Sequence, residues 1–408
     1  MKTEENMLTY QQAIDVILQA VQPLPPVETA LPDALGMVLA ESVEACWDLP
    51  PADNSAMDGY AFAFAGQREG DELAVAGFVP AGASFAGRLS QKEAVKIMTG
   101  APLPPECDTV MPVEDTALEG NRIRLTRSPQ KGQHVRSRGE EFGRGEPLLG
   151  PGCPVYSGEM GLLAAGGITA LKVHPTPRVA LLSTGDELVE LGSAPGPGQI
   201  VNSNFHLLAA RLQESGCRVV PLGIARDNPQ DLSARIAKGL EADMLISTGG
   251  VSVGDRDYVQ EILLEHGFEL GFWRVGIKPG KPVLFGTARG TTVFGLPGNP
   301  AASAATFELF VRPALRRLAG HRDPLPPRLR VTLTADISGG EKRQRFLWGT
   351  LQEREGRYLF TPSPRQGSGQ NRSIQGAQAL LPVPGDSPEI IAGTEMEVLL
   401  LRLPPGGA

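Results

Sequence analysis

The chain has 408 residues, of which 41% are hydrophobic and 21% charged, and its formal net charge at pH 7 is −8. This length is too great for one ordinary hydrophobic core and predicts a soluble protein of roughly two to four domains. The negative charge and an aromatic content of 5% argue against nucleic-acid binding, which relies on basic surfaces and stacked aromatic rings.

The cysteines and the apolar runs predict the compartment. The four cysteines are far apart and form no C-x-x-C pair, which argues against a zinc site and favours reduced thiols. The N-terminus is polar rather than a signal-peptide core, and no apolar run reaches the length of a membrane span. We therefore expect a cytoplasmic protein with no membrane partner.

The first elements are predicted to be helical. Thr9 is suited to cap a helix that Pro23 ends. The apolar face of this helix would consist of Ala13, Ile14, Ile17, Leu18 and Val21. A second helix is predicted after Pro32, with an apolar face formed by Ala34, Leu35, Val38 and Leu39.

Residues 47–141 change to short β-like runs broken by glycine and proline. We predict an inserted β-rich domain over these residues. The segments on either side, residues 1–46 and 142–176, would then form one discontinuous helical and extended domain.

Residues 177–323 alternate between strand and helix patterns. Strands are predicted at 178–183, 218–222 and 243–247, and helices at 205–215, 229–240 and 258–264. A hairpin (283–285 with 292–294) and a long helix (301–318) complete the segment. Such alternation predicts a mainly parallel sheet with helices on both faces.

The last segment, residues 324–408, begins with a stiff proline-rich linker and contains strand patterns at 329–334 and 395–400. A small closing β-barrel is predicted. The fold class is therefore α/β plus β modules, with a central mainly parallel α/β domain, an inserted β-rich domain and a C-terminal barrel.

A glycine-rich loop follows the predicted strand at 243–247. Gly249, Gly250 and Gly254 let the backbone approach a ligand and present N–H groups to an anion. Asp255 and Asp257 add carboxylates of the kind that bind a hard cation. The loop predicts a site for a nucleotide, or for phosphate plus metal.

The same loop supports a second interpretation. Residues 250–254 also fit G-x-S-x-G, the nucleophile elbow of α/β-hydrolases, with Ser252 as the nucleophile. The histidines show no triad or metal-ligand spacing, since His266 lies in the following helix and His321 just before the linker. A serine hydrolase that uses Ser252 therefore stays open as an alternative.

Three carboxylates follow three predicted strands of the same sheet: Glu187, Asp227 and Asp257. Because the carboxyl ends of parallel strands meet at one edge, these side chains are expected to lie close together. Mg²⁺ prefers one or two carboxylates with phosphate oxygens and water, so a magnesium site is predicted here. The alternative is that each residue caps the turn or helix that follows it.

A local positive cluster is predicted from Lys278 and Lys281 on a proline-framed loop, with Arg274 nearby. The spacing is not that of a Walker A motif. Pro297, Asn299 and Pro300 then lead into the long helix, whose free N–H groups suit an anion. A rigid turn with a helix cap is the alternative there.

Six motifs in one order resemble a single family, the molybdopterin molybdenumtransferases, which include the gephyrin E domain. They are P-x-D-N-S-A-M-D-G-Y-A (51–61), M-T-G-A-P (98–102), S-T-G-D-E-L (183–188), G-G-V-S-V-G-D-x-D (249–257), K-P-G-K-P (278–282) and L-P-G-N-P (296–300). The resemblance covers essentially the whole chain.

The resemblance implies an enzyme that inserts molybdenum from molybdate into adenylylated molybdopterin, requires Mg²⁺ and releases AMP. It implies an elongated homodimer of four-domain subunits with a molybdopterin-binding-like central domain, and a molybdopterin adenylyltransferase as upstream donor. It implies a site shared between subunits, with catalytic residues Asp58, Thr99, Glu187, Asp227 and Asp257. The implied substrate-binding residues are Gly249, Gly250, Ser252, Gly254, Arg274, Lys278, Lys281, Pro297, Asn299, Pro300 and Ser368.

The chain departs from the family pattern at several positions. The usual F-x-R-G is replaced by a sequence that places Trp348 at the arginine position, so Arg343, Arg345 or Arg365 would have to supply the oxyanion contact. Ser303 is displaced by one helical position from the usual serine. Because the gephyrin relative also clusters receptors, a binding scaffold is a further alternative, against which the retention of every acidic site candidate argues.

Overall fold

The computed structural model describes residues 7–226, 228–250 and 258–404. Within these residues the helices are α1 (Tyr10–Ala20), α2 (Ser157–Ala165), α3 (Ser203–Glu214), α4 (Pro229–Gly239), α5 (Tyr258–Glu265), α6 (Pro300–Thr306) and α7 (Arg312–Leu318). None of these helices is both long enough and apolar enough to cross a membrane.

The first strands are β1 (Val27–Ala30), β2 (Val38–Leu39), β3 (Val43–Glu44), β4 (Asn54–Ser55), β5 (Gly59–Phe62), β6 (Glu72–Val79), β7 (Glu93–Ile97), β8 (Thr109–Pro112), β9 (Thr116–Glu119), β10 (Arg122–Leu125), β11 (Val135–Arg136), β12 (Pro147–Leu149) and β13 (Ala170–His174). The remaining strands are β14 (Arg178–Thr184), β15 (Leu188–Val189), β16 (Ile200–Val201), β17 (Arg218–Ala225), β18 (Met244–Thr248), β19 (Phe268–Trp273), β20 (Ile277–Lys278), β21 (Leu284–Ala288), β22 (Thr291–Leu296), β23 (Arg328–Leu333), β24 (Gln344–Arg354), β25 (Arg357–Pro362), β26 (Ala379–Val383) and β27 (Glu395–Leu400).

The chain divides into two compact units. The smaller unit consists of Glu28–Leu35 and Glu41–Lys172, and the larger one of Met1–Val27, Gly36–Ala40 and Val173–Ala408. The four domain boundaries expected from the sequence subdivide the chain more finely than this, and they stay a prediction.

The smaller unit is built around a six-stranded sheet in the order β8-β5-β7-β6-β10-β9. One face buries Tyr60, Phe62 and Met111, whereas the other buries Val79 and Val95. Alternating residues of a strand point to opposite faces, so a sheet covered on both faces needs apolar residues in both registers. This sheet lies within residues 47–141, the segment for which β structure is predicted from the sequence.

The second helix predicted after Pro32 is wrong. Leu31–Asp33 form a single 3-10 turn, and Gly36 has a φ of +80° that interrupts any helix. Val38 and Leu39 form β2 instead, paired antiparallel with His174 and Val173 of β13. A distant strand decides the conformation here, because local apolar spacing fits either structure.

The larger unit contains the predicted α/β sheet, in the order β17-β14-β18-β22-β21-β19. The first four strands are parallel, and β21 pairs antiparallel with both β22 and β19. Helices α1, α3, α6 and α7 cover one face and α4 and α5 the other, so adjacent residues Leu181 and Leu182 of β14 enter different cores. The prediction of a mainly parallel sheet with helices on both faces is confirmed.

The long helix predicted for 301–318 is present from Pro300 to Leu318, but it changes winding in the middle. Phe307–Val311 form a π-helical segment between α6 and α7. Glu308 in this segment is 1% exposed and contacts Arg211 of α3 and Arg312 of α7. The buried carboxylate of Glu308 thus forms ion pairs with both α3 and α7.

The C-terminal strands close into a five-stranded barrel, as predicted. Their order is β24-β25-β23-β27-β26, and β26 pairs again with β24 to complete the closure. The short strand β20, which precedes the α/β hairpin, adds to β24 in parallel. This added strand places the loop of residues 278–282 beside the start of β24.

Candidate functional site

The strands that precede the three predicted metal ligands are neighbours in the sheet. β14 lies between β17 and β18, and all three are parallel. Their carboxyl ends therefore meet at one edge, as the prediction required. Glu187 follows β14 and is exposed at this edge. Asp227 and Asp257 lie outside the described residues.

A cavity of about 460 Å³ lies at this edge of the sheet. Among the described residues that line it, Glu187 carries the charge, and the others are mainly small polar groups and backbone. Gly249 and Pro300, both predicted to bind substrate, also line it. The remaining lining includes Thr184, Asn202, Asn204, Thr248, Gly298, Asn299 and Asn371.

Position 249 has no room for a side chain and has a backbone conformation that favours glycine. Its φ is +87°, and a Cβ added there would come within 2.6 Å of the carbonyl oxygen of Thr184. Its N–H donates to the carbonyl of Leu296 at 3.2 Å, which ties the loop to the end of β22. Gly250 also has a positive φ of 62°. Ser252 and Gly254 lie outside the described residues.

Asn204 is a site residue that the sequence did not single out. Its Nδ2 donates to the carbonyl of Gly298 at 2.7 Å and to Oγ1 of Thr248 at 3.1 Å. Its Oδ1 is buried without a partner among the described residues. A buried polar residue on a helix face was the available signal, since apolar residues normally occupy such positions.

A second cavity of about 700 Å³ lies between the loop of residues 278–282, the start of the long helix and the mouth of the barrel. Four cations line it, namely Lys278, Lys281, Arg343 and Arg345. Two carboxylates, Asp336 and Glu341, also line it. In a chain with a net charge of −8, this lining is locally positive and therefore suited to an anion.

Asn299 lines both cavities and so marks where they meet. Pro297 and Ser368 line the larger cavity, and Nδ2 of Asn299 donates to Oγ of Ser368 at 3.3 Å. One loop of the α/β part and one loop of the barrel thus form the partition. A ligand long enough to occupy both cavities would pass Asn299.

The first N–H groups of α6 are not free for an anion. The backbone N–H of Ala301 donates to the carbonyl of Ser368 at 2.9 Å, and that of Ala302 to the same oxygen at 3.4 Å. The alternative weighed for this turn, a helix cap, describes what the structure contains. The cap comes from the barrel, which no local pattern reveals.

Lys278 and Arg345 are register partners in the parallel pair of β20 and β24. Nζ of Lys278 lies 2.5 Å from Oε1 of Glu341, which is 39% exposed. The hydrogen bond from Lys278 and its charge hold the pKa of Glu341 below its usual value, and Arg345 and Arg343 act in the same direction. Glu341 is therefore ionised at neutral pH.

Asp58 and Thr99, in the smaller unit, are in direct contact. Oδ1 of Asp58 accepts the backbone N–H of Thr99 at 2.7 Å and its hydroxyl at 2.8 Å. These two donors, the backbone one foremost, hold the pKa of Asp58 below its usual value. A carboxylate held in its ionised form can bind a cation or accept a hydrogen bond, and its lowered pKa makes it a weak base.

Comparison with known proteins identifies the family. Residues 8–167 match the MoeA N-terminal region (domain I and II), residues 180–317 a probable molybdopterin binding domain, and residues 330–401 the MoeA C-terminal region (domain IV). The molybdopterin molybdenumtransferase of Nostoc sp. is 37% identical over 384 residues, which cover 91% of this chain and 87% of the relative. This chain belongs to the molybdopterin molybdenumtransferase family.

Another relative and a solved structure support the same family assignment. The molybdopterin molybdenumtransferase of Haemophilus influenzae is 36% identical over 350 residues, covering 84% of this chain and 86% of the relative. A crystal structure of a molybdopterin biosynthesis moeA protein from Pyrococcus horikoshii has a TM-score of 0.84 at 28% identity, covering 97% of this chain and 100% of that one. The family resemblance drawn from the six motifs is confirmed.

The serine hydrolase alternative finds no support in this family membership. Its two candidate histidines also have other roles. Nε2 of His266 lies 2.9 Å from Oγ of Ser233, and its Nδ1 lies 3.3 Å from Nη2 of Arg289. Burial, together with the charge of Arg316, lowers the pKa of His321 to about 4. Ser252 itself lies outside the described residues.

Trp348, the departure from the family's F-x-R-G, is 1% exposed and packs in the core of the larger unit. Its ring lies 5.5 Å from the guanidinium carbon of Arg211. Of the three arginines expected to compensate, Arg343 and Arg345 line the larger cavity, whereas Arg365 does not. Residue 348 thus contributes to packing in this family member.

Arg274 is the predicted cation that the structure does not bring to the cluster. Its guanidinium lies over the ring of Trp273 at 4.0 Å, and its backbone has a φ of +78°. Within the described part of the chain it lines neither cavity. Its role in substrate binding stays a prediction.

Glu187 is the described member of the predicted metal site. Among the described residues, no three of the His, Cys, Asp and Glu side chains come together as metal ligands. Two of the three predicted ligands, Asp227 and Asp257, lie outside those residues. The structure places Glu187, whose carboxylate oxygens are of the kind that Mg²⁺ prefers, at the edge shared by these strands.

Proposed function

We propose that this family member inserts molybdenum from molybdate into adenylylated molybdopterin, with Mg²⁺-dependent release of AMP. The observation that carries the proposal is the pair of cavities that meet at Asn299. One is lined by four cations and suits an oxyanion, and the other is lined mainly by small polar groups around Glu187 and suits the adenylylated end of the substrate with Mg²⁺. The names of the relatives support molybdopterin and molybdenum as the reactants, and the adenylylated form of the substrate is part of the proposal.

The larger cavity is the proposed place for molybdate and the adjacent acidic groups of the substrate. Lys278 and Lys281 offset the negative charge of molybdate and phosphate oxygens. Charge that develops on those oxygens during transfer is stabilised by the same fixed cations. Ser368, which lines this cavity, offers its hydroxyl as a further donor.

The smaller cavity is the proposed place for the adenylylated end of the substrate. Gly249 lets the backbone approach the ligand without a side chain, and Asn204 presents an unpartnered Oδ1 that accepts hydrogen bonds. Gly250, Ser252 and Gly254 continue this loop and are proposed to contact the phosphates.

Mg²⁺ is proposed to bind at Glu187, Asp227 and Asp257. The adjacency of β17, β14 and β18 supports this assignment, since it brings the starting points of all three segments to one edge. When bound, the ion would neutralise phosphate charge and so favour departure of AMP. The carboxylates would hold it, with phosphate oxygens and water completing its coordination.

We further propose a homodimer in which Asp58 and Thr99 of a second copy complete the site. The ionised state of Asp58 supports a role near a cation. A cytoplasmic molybdopterin adenylyltransferase is the proposed upstream donor, because the substrate must arrive already adenylylated.

Turnover of purified protein tests the proposal. With adenylylated molybdopterin, Mg²⁺ and molybdate, we expect AMP release and formation of active molybdenum cofactor. Asp257→Ala should preserve folding and abolish AMP release, whereas Glu265→Ala, an exposed carboxylate on the following helix α5, should turn over normally. Failure of correctly folded wild type would overturn the function, and unaltered turnover of Asp257→Ala would remove that residue from the site.

A further inference from the structure

We propose that Glu341 is an internal counter-ion of the larger cavity, and that the oxyanion substrate displaces its carboxylate from Lys278 and binds to Lys278 and Arg345. The inference rests on the proposed function, because it assumes that this cavity receives molybdate. It assigns to Arg345 the guanidinium contact that the family pattern places at residue 348. It also makes Glu341 a determinant of oxyanion affinity.

The first support is the register of β20 and β24. Lys278 and Arg345 are direct neighbours on adjacent strands, and like charges in such positions repel each other. Arg345 is 7% exposed, so water reaches its guanidinium poorly, whereas the side chain of Lys278 is 47% exposed and partly screened. A negative partner near the two cations offsets the repulsion that remains.

The second support is the position of Glu341 relative to these cations. Its Oε1 lies 2.5 Å from Nζ of Lys278, and Arg345 also acts on its carboxylate. Both cations and Glu341 line the same cavity. The carboxylate therefore stands where an oxyanion would make its own contacts, and it supplies one negative charge against two positive ones.

The third support is an incomplete set of hydrogen bonds on Arg345. Its Nη1 and Nη2 contact the hydroxyl and carbonyl of Ser338, but its Nε is buried without a partner among the described residues. A buried N–H without an acceptor is costly, and a guanidinium N–H is a strong donor to an oxyanion. Arg343, by comparison, directs Nη1 to the carbonyl of Ile277 at 2.9 Å.

Trp348 explains why the contact has moved along β24. Its side chain packs in the core of the larger unit and does not line the cavity, whereas Arg345, Phe346 and Leu347, which precede it on β24, do. Residue 348 therefore has no access to the oxyanion. The buried guanidinium three positions earlier is the group that replaces it.

Binding of molybdate alone to the full-length protein, measured by titration calorimetry, tests the inference. Glu341→Gln should lower the dissociation constant about tenfold, because it removes the competing charge and frees Lys278. Arg345→Gln should raise the dissociation constant about tenfold, and Arg345→Lys should recover only part of that loss, because the planar fork is absent. Glu341 is 39% exposed, so its replacement should leave the fold intact.

Glu397→Gln is the matched control. Glu397 also pairs with a cation, Arg328 at 3.4 Å, on the same barrel, but it does not line this cavity. The Glu397→Gln substitution makes the same change in net charge as Glu341→Gln and should leave the dissociation constant for molybdate unchanged. Equal affinity of Glu341→Gln and Glu397→Gln for molybdate, with binding by wild type intact, would overturn this inference alone. Absence of binding by both wild type and Glu341→Gln would overturn the proposed function and this inference with it.

Discussion

Thr99 directs both its backbone N–H and its hydroxyl to the same oxygen of Asp58, at 2.7 and 2.8 Å. The two residues are 41 positions apart in the sequence. Both donors stabilise the charged form of the carboxylate, so the pKa of Asp58 lies below its usual value. The pair thus fixes the orientation of one carboxylate oxygen and keeps the group ionised.

Thr99→Val separates the two donors. It removes the hydroxyl but keeps the backbone N–H, which is the larger cause of the shift. We expect the pKa of Asp58 to rise towards its usual value without reaching it, as measured by a carboxyl ¹³C NMR titration. Glu93, whose pKa is lowered chiefly by the backbone N–H of Ser90, is the internal control and should not change. A pKa of Asp58 fully at its usual value would show that the hydroxyl dominates.

Gly249→Ala should destabilise the protein more than its backbone angle alone explains. A side chain at its positive φ costs about 1 kcal/mol, and the contact with the Thr184 carbonyl adds roughly 1–3 kcal/mol. Gly290→Ala is the control, because its φ is similar at +84° but a Cβ there meets nothing within 4 Å. Urea unfolding of both variants measures the difference. Equal losses would mean that the loop moves freely to accept the methyl group.

Glu308→Gln should leave two guanidiniums in a low-dielectric environment without a counter-charge. Arg211 and Arg312 are 13% and 18% exposed, and Glu308 is 1% exposed. Breaking a buried ion pair costs about 3–5 kcal/mol, so we expect a loss of that size in the free energy of unfolding. Glu353→Gln, an exposed carboxylate of β24, should change it by less than about 0.5 kcal/mol. If Glu308→Gln lowered the free energy of unfolding by less than about 1 kcal/mol, water would have to reach Glu308 and its two arginine partners.

The thiols should separate into two classes of reactivity. Burial is the main cause that raises the pKa of Cys107 and of Cys217 to about 12, so neither forms thiolate at pH 8. Cys46 is exposed and Cys153 is half-buried. With a thiol-specific reagent at pH 8, we expect Cys46 to react first, Cys153 more slowly, and the other two only after denaturant is added. Rapid reaction of Cys217 in the folded protein would contradict the packing of its core.

The sequence predicted those parts of the fold that depend on neighbouring residues. The Thr9 cap forms as expected, with Gln12 completing a capping box. The strand and helix alternation of the central segment is also correct, because buried parallel strands and amphipathic helices each have a local pattern. The apolar spacing of Val38 and Leu39 predicts a helix instead of a strand, because their partner strand, β13, lies far away in the chain.

The site was predicted to the same extent and for the same reason. Motif spacing located Lys278 and Ser368, which do line one cavity. Motif spacing did not reveal Asn204, because the position of this side chain depends on how its helix packs. Nor did it reveal that Lys278 lies beside Arg345 on the neighbouring strand, because that depends on the register of a two-residue strand. It also included Arg274, whose side chain instead stacks on its neighbour.

The carbonyl of Ser368, which accepts the first N–H groups of α6, has a consequence for how such a protein can vary. The barrel loop and the Asn299 turn share hydrogen bonds and a cavity wall, so an insertion in either one would disturb both. In a chimera that exchanges barrels between relatives, residues 366–369 and 297–300 would have to be transferred together. At this site the two loops must therefore change together, although they belong to different parts of the fold.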